Sequence, residues 1–223
     1  MTSDTQRIVL GSRSPRRLEL LRLIVPQRRI DVVPPESAEE PDFSDARDWP
    51  AVERRLAEIA RLKCDDVLRQ LDRDDFAAVI TADTVIVASD DDGRPVVLGQ
   101  PPDGDGWQRV VRDWFTRYLL GKDHYAASAV CVHIPGVSEN PWDVDGRRRE
   151  SLVKTRVRFD AAAERWLDWY LGTGEPLGKA GGYGIQGAGG LFVSEIEGSL
   201  NNVVGLPIRE TLEMLEELGI VDR

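Results

Sequence analysis

Apolar residues along this chain alternate between two spacings, one near two residues and one near three and a half. Arg7-Ile8-Val9-Leu10 is too short for a helix and predicts a buried strand. Gly11-Ser12-Arg13 then turns the chain. Ser14 suits an N-cap and Pro15 the first helical position, with Leu18, Leu21 and Ile24 giving that helix an apolar side. Ile30-Asp31-Val32-Val33 predicts a second strand, ended by Pro34-Pro35, and 41–50 predicts a loop. Over 52–71 the spacing becomes helical: Val52, Leu56, Ile59 and Lys63 fall at i, i+4, i+7 and i+11. The run 76–87 (FAAVITADTVIV) is the most strand-like in the chain. Its alternation puts Val79, Thr81, Asp83, Val85 and Val87 on one face, and Ile80, Ala82, Thr84 and Ile86 on the other.

The pattern continues with a hairpin tip at 89–94 before a short strand from Pro95 to Leu98. A helix is predicted over 107–120, a strand over 124–133, a polar loop over 135–150, a half-exposed strand over 152–159 and a helix over 161–171. Leu191, Phe192, Val193 and Ile196 read as a strand-like run. Pro207 opens a last helix whose stripe is Ile208, Leu212, Leu215 and Leu218. Interleaved strands and helices predict one α/β unit, in two lobes with a site between them.

Composition narrows the chemistry. The chain has 223 residues, enough for one large or two small domains, and a net charge of -10, which argues against a broad footprint for DNA or RNA. An anionic ligand would need a local basic cluster. No apolar run approaches ~18 residues, so no membrane span is expected. The first strand-like run begins at Arg7, so no signal peptide is expected before it. Cys64 and Cys131 form neither a metal-spaced set nor a disulfide framework, and His124 and His133 are the only histidines. Any metal would be a hard cation held by carboxylates, such as Mg²⁺ or Mn²⁺.

Three places depart from what folding alone would ask. Arg16 and Arg17 occupy the first turn of a helix whose N-terminus already carries about half a positive charge, and the strand–turn–helix setting suits a bound phosphate; splayed or salt-bridged arginines are the plainer alternative. Lys63 lies on the apolar stripe of its helix, either snorkelling to water or pointing into a polar site. Asp83 interrupts an otherwise buried strand. A buried carboxylate needs a metal, a cation or a hydrogen-bond network, unless the chain bulges or the strand ends there. Glu36, just past the second strand, is a metal-ligand candidate or a solvated loop residue.

The stretch 178–205 carries seven glycines in its first thirteen residues, with Lys179, Tyr183 and Gln186 among them. Such density is tolerated where the backbone turns at positive φ or passes close to a ligand. It reads as one wall of a site or as a glycine-rich turn between strands.

Several of these stretches, taken together, resemble the Maf proteins, nucleoside triphosphate pyrophosphatases related in fold to the inosine triphosphatase family. They are Leu10-Gly11-Ser12-Arg13-Ser14-Pro15-Arg16-Arg17 with Glu19-Leu20-Leu21, Arg55-Leu56-Ala57 with Lys63, and Ala82-Asp83-Thr84-Val85-Ile86. Thr173-Gly174-Glu175-Pro176, Lys179-Ala180-Gly181-Gly182-Tyr183-Gly184-Ile185-Gln186-Gly187 and Asn202-Val203-Val204-Gly205-Leu206-Pro207 complete the set. The resemblance implies a mixed, elongated central sheet flanked by helices, in a single domain over 1–223 with a cleft between two lobes. It implies hydrolysis of a nucleoside triphosphate to the monophosphate and pyrophosphate, a divalent cation (Mg²⁺ or Mn²⁺), a cytoplasmic location and often a homodimer.

By the same resemblance Asp83 matches the carboxylate that accepts a proton from the attacking water. Glu36 matches an acidic residue that helps hold the metal, with Asp83. Arg16 and Lys63 match positive groups around the triphosphate, Lys179 matches the lysine that opens the family's glycine-rich motif, and Ser14 and Arg17 are further substrate-binding candidates. Arg16, Thr84 and Gln186 match three base-selecting positions, and resemble the subgroup acting on dTTP and UTP rather than on 7-methyl-GTP. One departure stands out: the family has Lys-Pro where this chain has Gln100-Pro101, with Arg94 or Arg109 as candidate substitutes. Two other expectations compete. One is a nucleotide-binding regulator with little catalysis, since the family has been linked to inhibition of septum formation in cell division. The other is the same enzyme acting on a purine.

Overall fold

A computed structural model describes residues 7–37, 40–72, 76–135 and 147–221. In chain order the strands are β1 (Ile8–Gly11), β2 (Ile30–Val32), β3 (Ala78–Ser89), β4 (Pro95–Leu98), β5 (Asp123–Ile134), β6 (Arg147–Phe159) and β7 (Val193–Glu197). The helices are α1 (Pro15–Leu21), α2 (Trp49–Arg69), α3 (Trp107–Trp114), α4 (Leu167–Gly172), α5 (Leu200–Val204) and α6 (Ile208–Glu217). The strands form one open mixed sheet in the order β2-β1-β3-β5-β6-β7, with β4 also paired to β3. Pairing is parallel from β2 through β1 to β3 and antiparallel elsewhere. Among the described residues no helix is long and apolar enough to cross a membrane.

β3 is the axis of the sheet, and its alternation works as its sequence predicts. Val79, Val85 and Val87 pack on one face against Val52, Leu56, Ala60 and Cys64 of α2. The other face carries two separate cores. Ile80 and Ala82 join β1, α1 and α6 through Leu10, Leu20, Leu21, Met214 and Leu215. Ile86 and Ala88 join α3, α4 and an aromatic group, Phe115, Phe159, Tyr170 and Phe192, whose rings meet at 5.0–5.8 Å. Each such fully buried side chain contributes about 1.5–3 kcal/mol. Thr84 falls between the two cores, so they form the walls of a cleft and leave β3 as its floor.

The sheet itself is interrupted at the same place. β1 accompanies β3 only as far as the pair Gly11↔Thr81, and β4 begins at Ile86↔Leu98. Along that edge residues 82–85 have no strand neighbour among the described residues, while β5 pairs continuously on the other edge. Asp83 and Thr84 sit in this notch, and they are the only residues of 78–88 that are not fully buried.

Local readings differ from the structure in several places. Residues 147–150 are strand, because β5 is long enough to pair them from Cys131↔Glu150 to Ile134↔Arg147; the rest of the predicted polar loop, 136–146, lies outside the described residues. Leu191 and Phe192 belong to a 3-10 segment, Ala188–Phe192, that turns Phe192 into the aromatic core. The predicted helix over 161–171 begins as a 3-10 segment, Ala161–Trp166, and that over 107–120 ends in a π-helical segment, Phe115–Leu119. In α6 the buried positions are Thr211, Met214 and Leu215 rather than Leu212. Thr211 passes for apolar because its hydroxyl donates to the Pro207 carbonyl at 2.8 Å.

Candidate active site

The notch opens into a cleft of about 840 Å³. Its rim comes from several places in the chain: the β1–α1 turn, Pro35, Ser37 and Glu40 after β2, the C-terminal half of α2, the segment after β4, the glycine-rich stretch and the end of α5. At its floor Lys63 reaches from α2 and donates to Asp83 Oδ1 at 2.7 Å. The two side chains are 15% and 14% exposed, so the pair is nearly out of water but open towards the cleft. Lys63 Nζ also lies 3.0 Å from Glu40 Oε1. The apolar stripe of α2 therefore ends in an ammonium group held by two carboxylates.

Arg16 and Arg17 part company. Arg17 Nε donates to the Gly205 carbonyl at 2.9 Å, Nη2 to Thr84 Oγ1 at 3.2 Å and Nη1 to Ser12 Oγ at 3.4 Å. Burial lowers its proton affinity, and the charge of Asp83 opposes that. It braces α1 against β3 and the end of α5. Arg16 also lines the cleft, and among the described residues it has no hydrogen-bond or ion-pair partner in the protein. Ser14 is the N-cap of α1, accepting the Arg17 backbone N–H at 3.4 Å.

Thr84 is held by the same network. Its Oγ1 lies 2.8 Å from Ser128 Oγ, directly across the β3–β5 ladder, and 3.3 Å from the Gly205 carbonyl. On the far wall Lys179 and Gln186 both line the cleft. Lys179 donates to the Glu175 carbonyl, and burial lowers its pKa. Tyr183, fully within the second core, meets His124 Nε2 at 2.9 Å and ties the glycine-rich stretch to β5. Burial pushes His124 down to about 3, so its imidazole is neutral.

The structure thus gathers Ser14, Arg16, Arg17, Lys63, Asp83, Thr84, Lys179 and Gln186 around one cleft. It does not bring Glu36 there. That residue is exposed, outside the lining, with its backbone N–H donated to Asp66 Oδ2 at 2.6 Å. The carboxylate that meets Lys63 is Glu40, four residues on in the same acidic run. Gln100 does line the cleft, while Arg94 and Arg109 do not. Sequence reasoning missed Glu40, Ser128 and the carboxylate of Glu175. Only the last had a signal, its place in the Thr173-Gly174-Glu175-Pro176 turn.

No group of three or more His, Cys, Asp or Glu side chains that could cage a metal occurs among the described residues. Mg²⁺ and Mn²⁺ are commonly held by one or two carboxylates plus substrate phosphates, and Asp83 and Glu40 supply hard oxygens of that kind at the notch. Both meet Lys63 Nζ, so a divalent ion would take the oxygens that the ammonium leaves open or displace it.

Comparison with known proteins places nearly the whole chain in one family. A family model described as Maf-like protein matches residues 7–218. A dTTP/UTP pyrophosphatase of Anaeromyxobacter dehalogenans (strain 2CP-1) is 37% identical over 215 residues, 96% of this chain and 94% of that one. A dTTP/UTP pyrophosphatase of Myxococcus xanthus is 36% identical over 221 residues, 99% of this chain and 96% of that one.

Proposed function

The chain belongs to the Maf family, and from that premise we propose that it hydrolyses dTTP and UTP to the monophosphate and pyrophosphate. The observation that carries the proposal is the Lys63–Asp83 contact of 2.7 Å at the floor of a cleft ringed by Arg16 and Lys179. Splitting a phosphoanhydride with water requires a positioned water and neutralised phosphate charge more than a covalent nucleophile. Asp83 is the proton acceptor for that water, since it is the carboxylate on the floor and faces the open side of the notch. Lys63 holds Asp83 in place through that contact. Arg16, without a partner among the described residues, is a cation placed to meet a phosphate or a base carbonyl. Lys179 adds a second cation from the opposite wall.

Asp83 and Glu40 are the residues that would hold a divalent cation. A bound Mg²⁺ or Mn²⁺ supplies neutralisation of phosphate oxygens. Thr84 and Gln186 face the substrate from the floor and the glycine-rich wall, where a base can be read. A cytoplasmic location and a homodimer are further proposals from the family resemblance; cell fractionation and sedimentation test them.

The experiment is pyrophosphate release from dTTP, UTP, CTP, GTP, 7-methyl-GTP and ITP with Mg²⁺ or Mn²⁺. Release fastest from dTTP and UTP is the expected result; a purine preference or no release overturns it. One observation favours a second reading, a nucleotide-binding regulator with little turnover: Gln100 lines the cleft where the family pattern places a lysine. Tight dTTP binding without pyrophosphate release is the outcome that would support it.

A further inference from the structure

Glu175 lines the cleft, yet its carboxylate does not serve the cleft. Oε2 accepts the backbone N–H of Ala188 at 2.7 Å, and Oε1 accepts that of Gly189 at 3.0 Å. The Tyr170 hydroxyl lies 3.4 Å from Oε1. These donors belong to the far side of a tight turn. Gly187 N–H returns to the Gly184 carbonyl at 3.1 Å, which puts Ile185 and Gln186 at the two central positions of that turn. Ile185 is packed against both cores, and Gln186 projects, exposed, into the cleft.

The carboxylate lies directly against the turn backbone. A Cβ at Gly187 would fall 2.6 Å from Glu175 Oε2 and 2.7 Å from Oε1, so glycine is required there for the carboxylate to seat. The stem of Lys179 packs on Gly184 in the same way, at 2.8 Å from where a Cβ would be, and its ammonium donates to the Glu175 carbonyl. Glu175 is itself seated by its own N–H, which donates to Thr173 Oγ1 at 3.1 Å. One residue therefore holds both functional side chains of the glycine-rich wall: Gln186 through its carboxylate and Lys179 through its carbonyl.

We infer that Glu175 is a positioning residue for substrate selection, an anion whose task is to fix the turn that presents Gln186. An ionised carboxylate taking two backbone N–H groups makes bonds about twice as strong as neutral ones, and a glycine-rich turn without such an anchor has many accessible conformations. The inference rests on the pyrophosphatase reading for its catalytic consequence, but its structural half stands apart from it.

The test is Glu175→Gln, nearly isosteric, with Glu175→Ala as a second variant, in the full-length protein. The neutral amide can accept one of the two N–H groups and must turn its own NH₂ towards the other. Amide exchange at Ala188 and Gly189 is expected to quicken by about tenfold in Glu175→Gln and further in Glu175→Ala. The ratio of kcat/KM for dTTP over GTP is expected to fall by about tenfold, mainly through KM for dTTP. The kcat for dTTP is expected to stay within about threefold, since Asp83 and Lys63 stand on other elements. Unchanged exchange at both amides overturns the anchor. Faster exchange with an unchanged dTTP-to-GTP ratio overturns the selection role and leaves Glu175 as a structural residue. If the unmodified protein releases pyrophosphate from no nucleotide, the functional reading fails, and amide exchange with the dTTP-to-GTP ratio of binding constants decides the inference.

Discussion

Replacing Asp83 with asparagine removes one negative charge and keeps the shape of the side chain. The contact at stake is the 2.7 Å pair with Lys63, whose members are 15% and 14% exposed. A fully buried pair broken on one side costs about 3–5 kcal/mol, and an exposed pair less than about 1. Here Lys63 retains Glu40 at 3.0 Å, and the asparagine oxygen can still accept from Nζ. The expected loss of stability is therefore near the low end, about 1–2 kcal/mol. For a chain of this length that is a fall in Tm of roughly 2–8 °C.

The loss of turnover should be larger. An amide cannot take the proton of an attacking water, and removal of a general base costs about 100-fold or more, equivalent to about 2.7 kcal/mol of barrier. Pyrophosphate release from dTTP, followed beside a thermal melt of the same preparation, separates the two effects. Turnover within threefold of the parent in a folded Asp83→Asn protein would refute the assignment of Asp83 as base. A Tm fall beyond 15 °C would refute the stability reasoning, because it would mean that the pair carries the fold at that point.

Three other outcomes are expected. His124 is held neutral at about 3 in the fold and returns to about 6.5 on unfolding, so the unfolded chain binds the extra proton and stability falls as pH drops below about 6.5. Between pH 7 and pH 5 this loss is about 2 kcal/mol, visible in urea unfolding and reduced in His124→Gln; His133, pushed down to about 4 by burial, adds in the same direction. Gln100→Lys adds a cation to Arg13, Arg16, Arg17, Lys63 and Lys179 in the cleft lining, and should lower KM for dTTP by about tenfold, as expected of one charge-assisted hydrogen bond; an unchanged or higher KM would count against the triphosphate lying by Gln100. Gly181→Ala meets both a φ of +66° and Ile86 Cγ1 at 2.8 Å, so a loss of about 2–4 kcal/mol should appear in the melt, and a Tm within 2 °C of the parent would contradict the packing at that wall.

The residues that were legible in the sequence are those whose oddity is local. Asp83 stands out because an alternating run states what its neighbours want, and Lys63 because helical spacing puts it among Val52, Leu56 and Ile59. Neither inference required knowing the partner, although each turned out to be the other's partner, 20 residues away. The notch was not legible, because it depends on where β1 and β4 stop along β3, and strand ends are set by pairing between distant segments. The extension of β6 back to Arg147 was hidden for the same reason: its polar residues meet solvent, and only the length of β5 makes them strand. Glu40 could not be told from Glu36 within one acidic run, since both follow a strand end and differ only in where the loop folds back towards α2.

Arg16 and Arg17 show the limit most clearly. Charge, helix dipole and position act alike on both, so no local argument divides an anion site between them. The fold divides it through acceptors supplied from elsewhere: a carbonyl at Gly205, a hydroxyl on β3 at Thr84 and a hydroxyl in the β1–α1 turn at Ser12. Those three bonds hold Arg17 within the protein and at the same time orient Thr84 against Ser128. With three of its five N–H donors committed in this way, Arg17 has two left to offer a phosphate. Arg16, beside it on the first turn and without a partner among the described residues, loses nothing by binding. Arg16 is thus the arginine of the pair that the described residues leave unused, and the one expected to meet a substrate phosphate first.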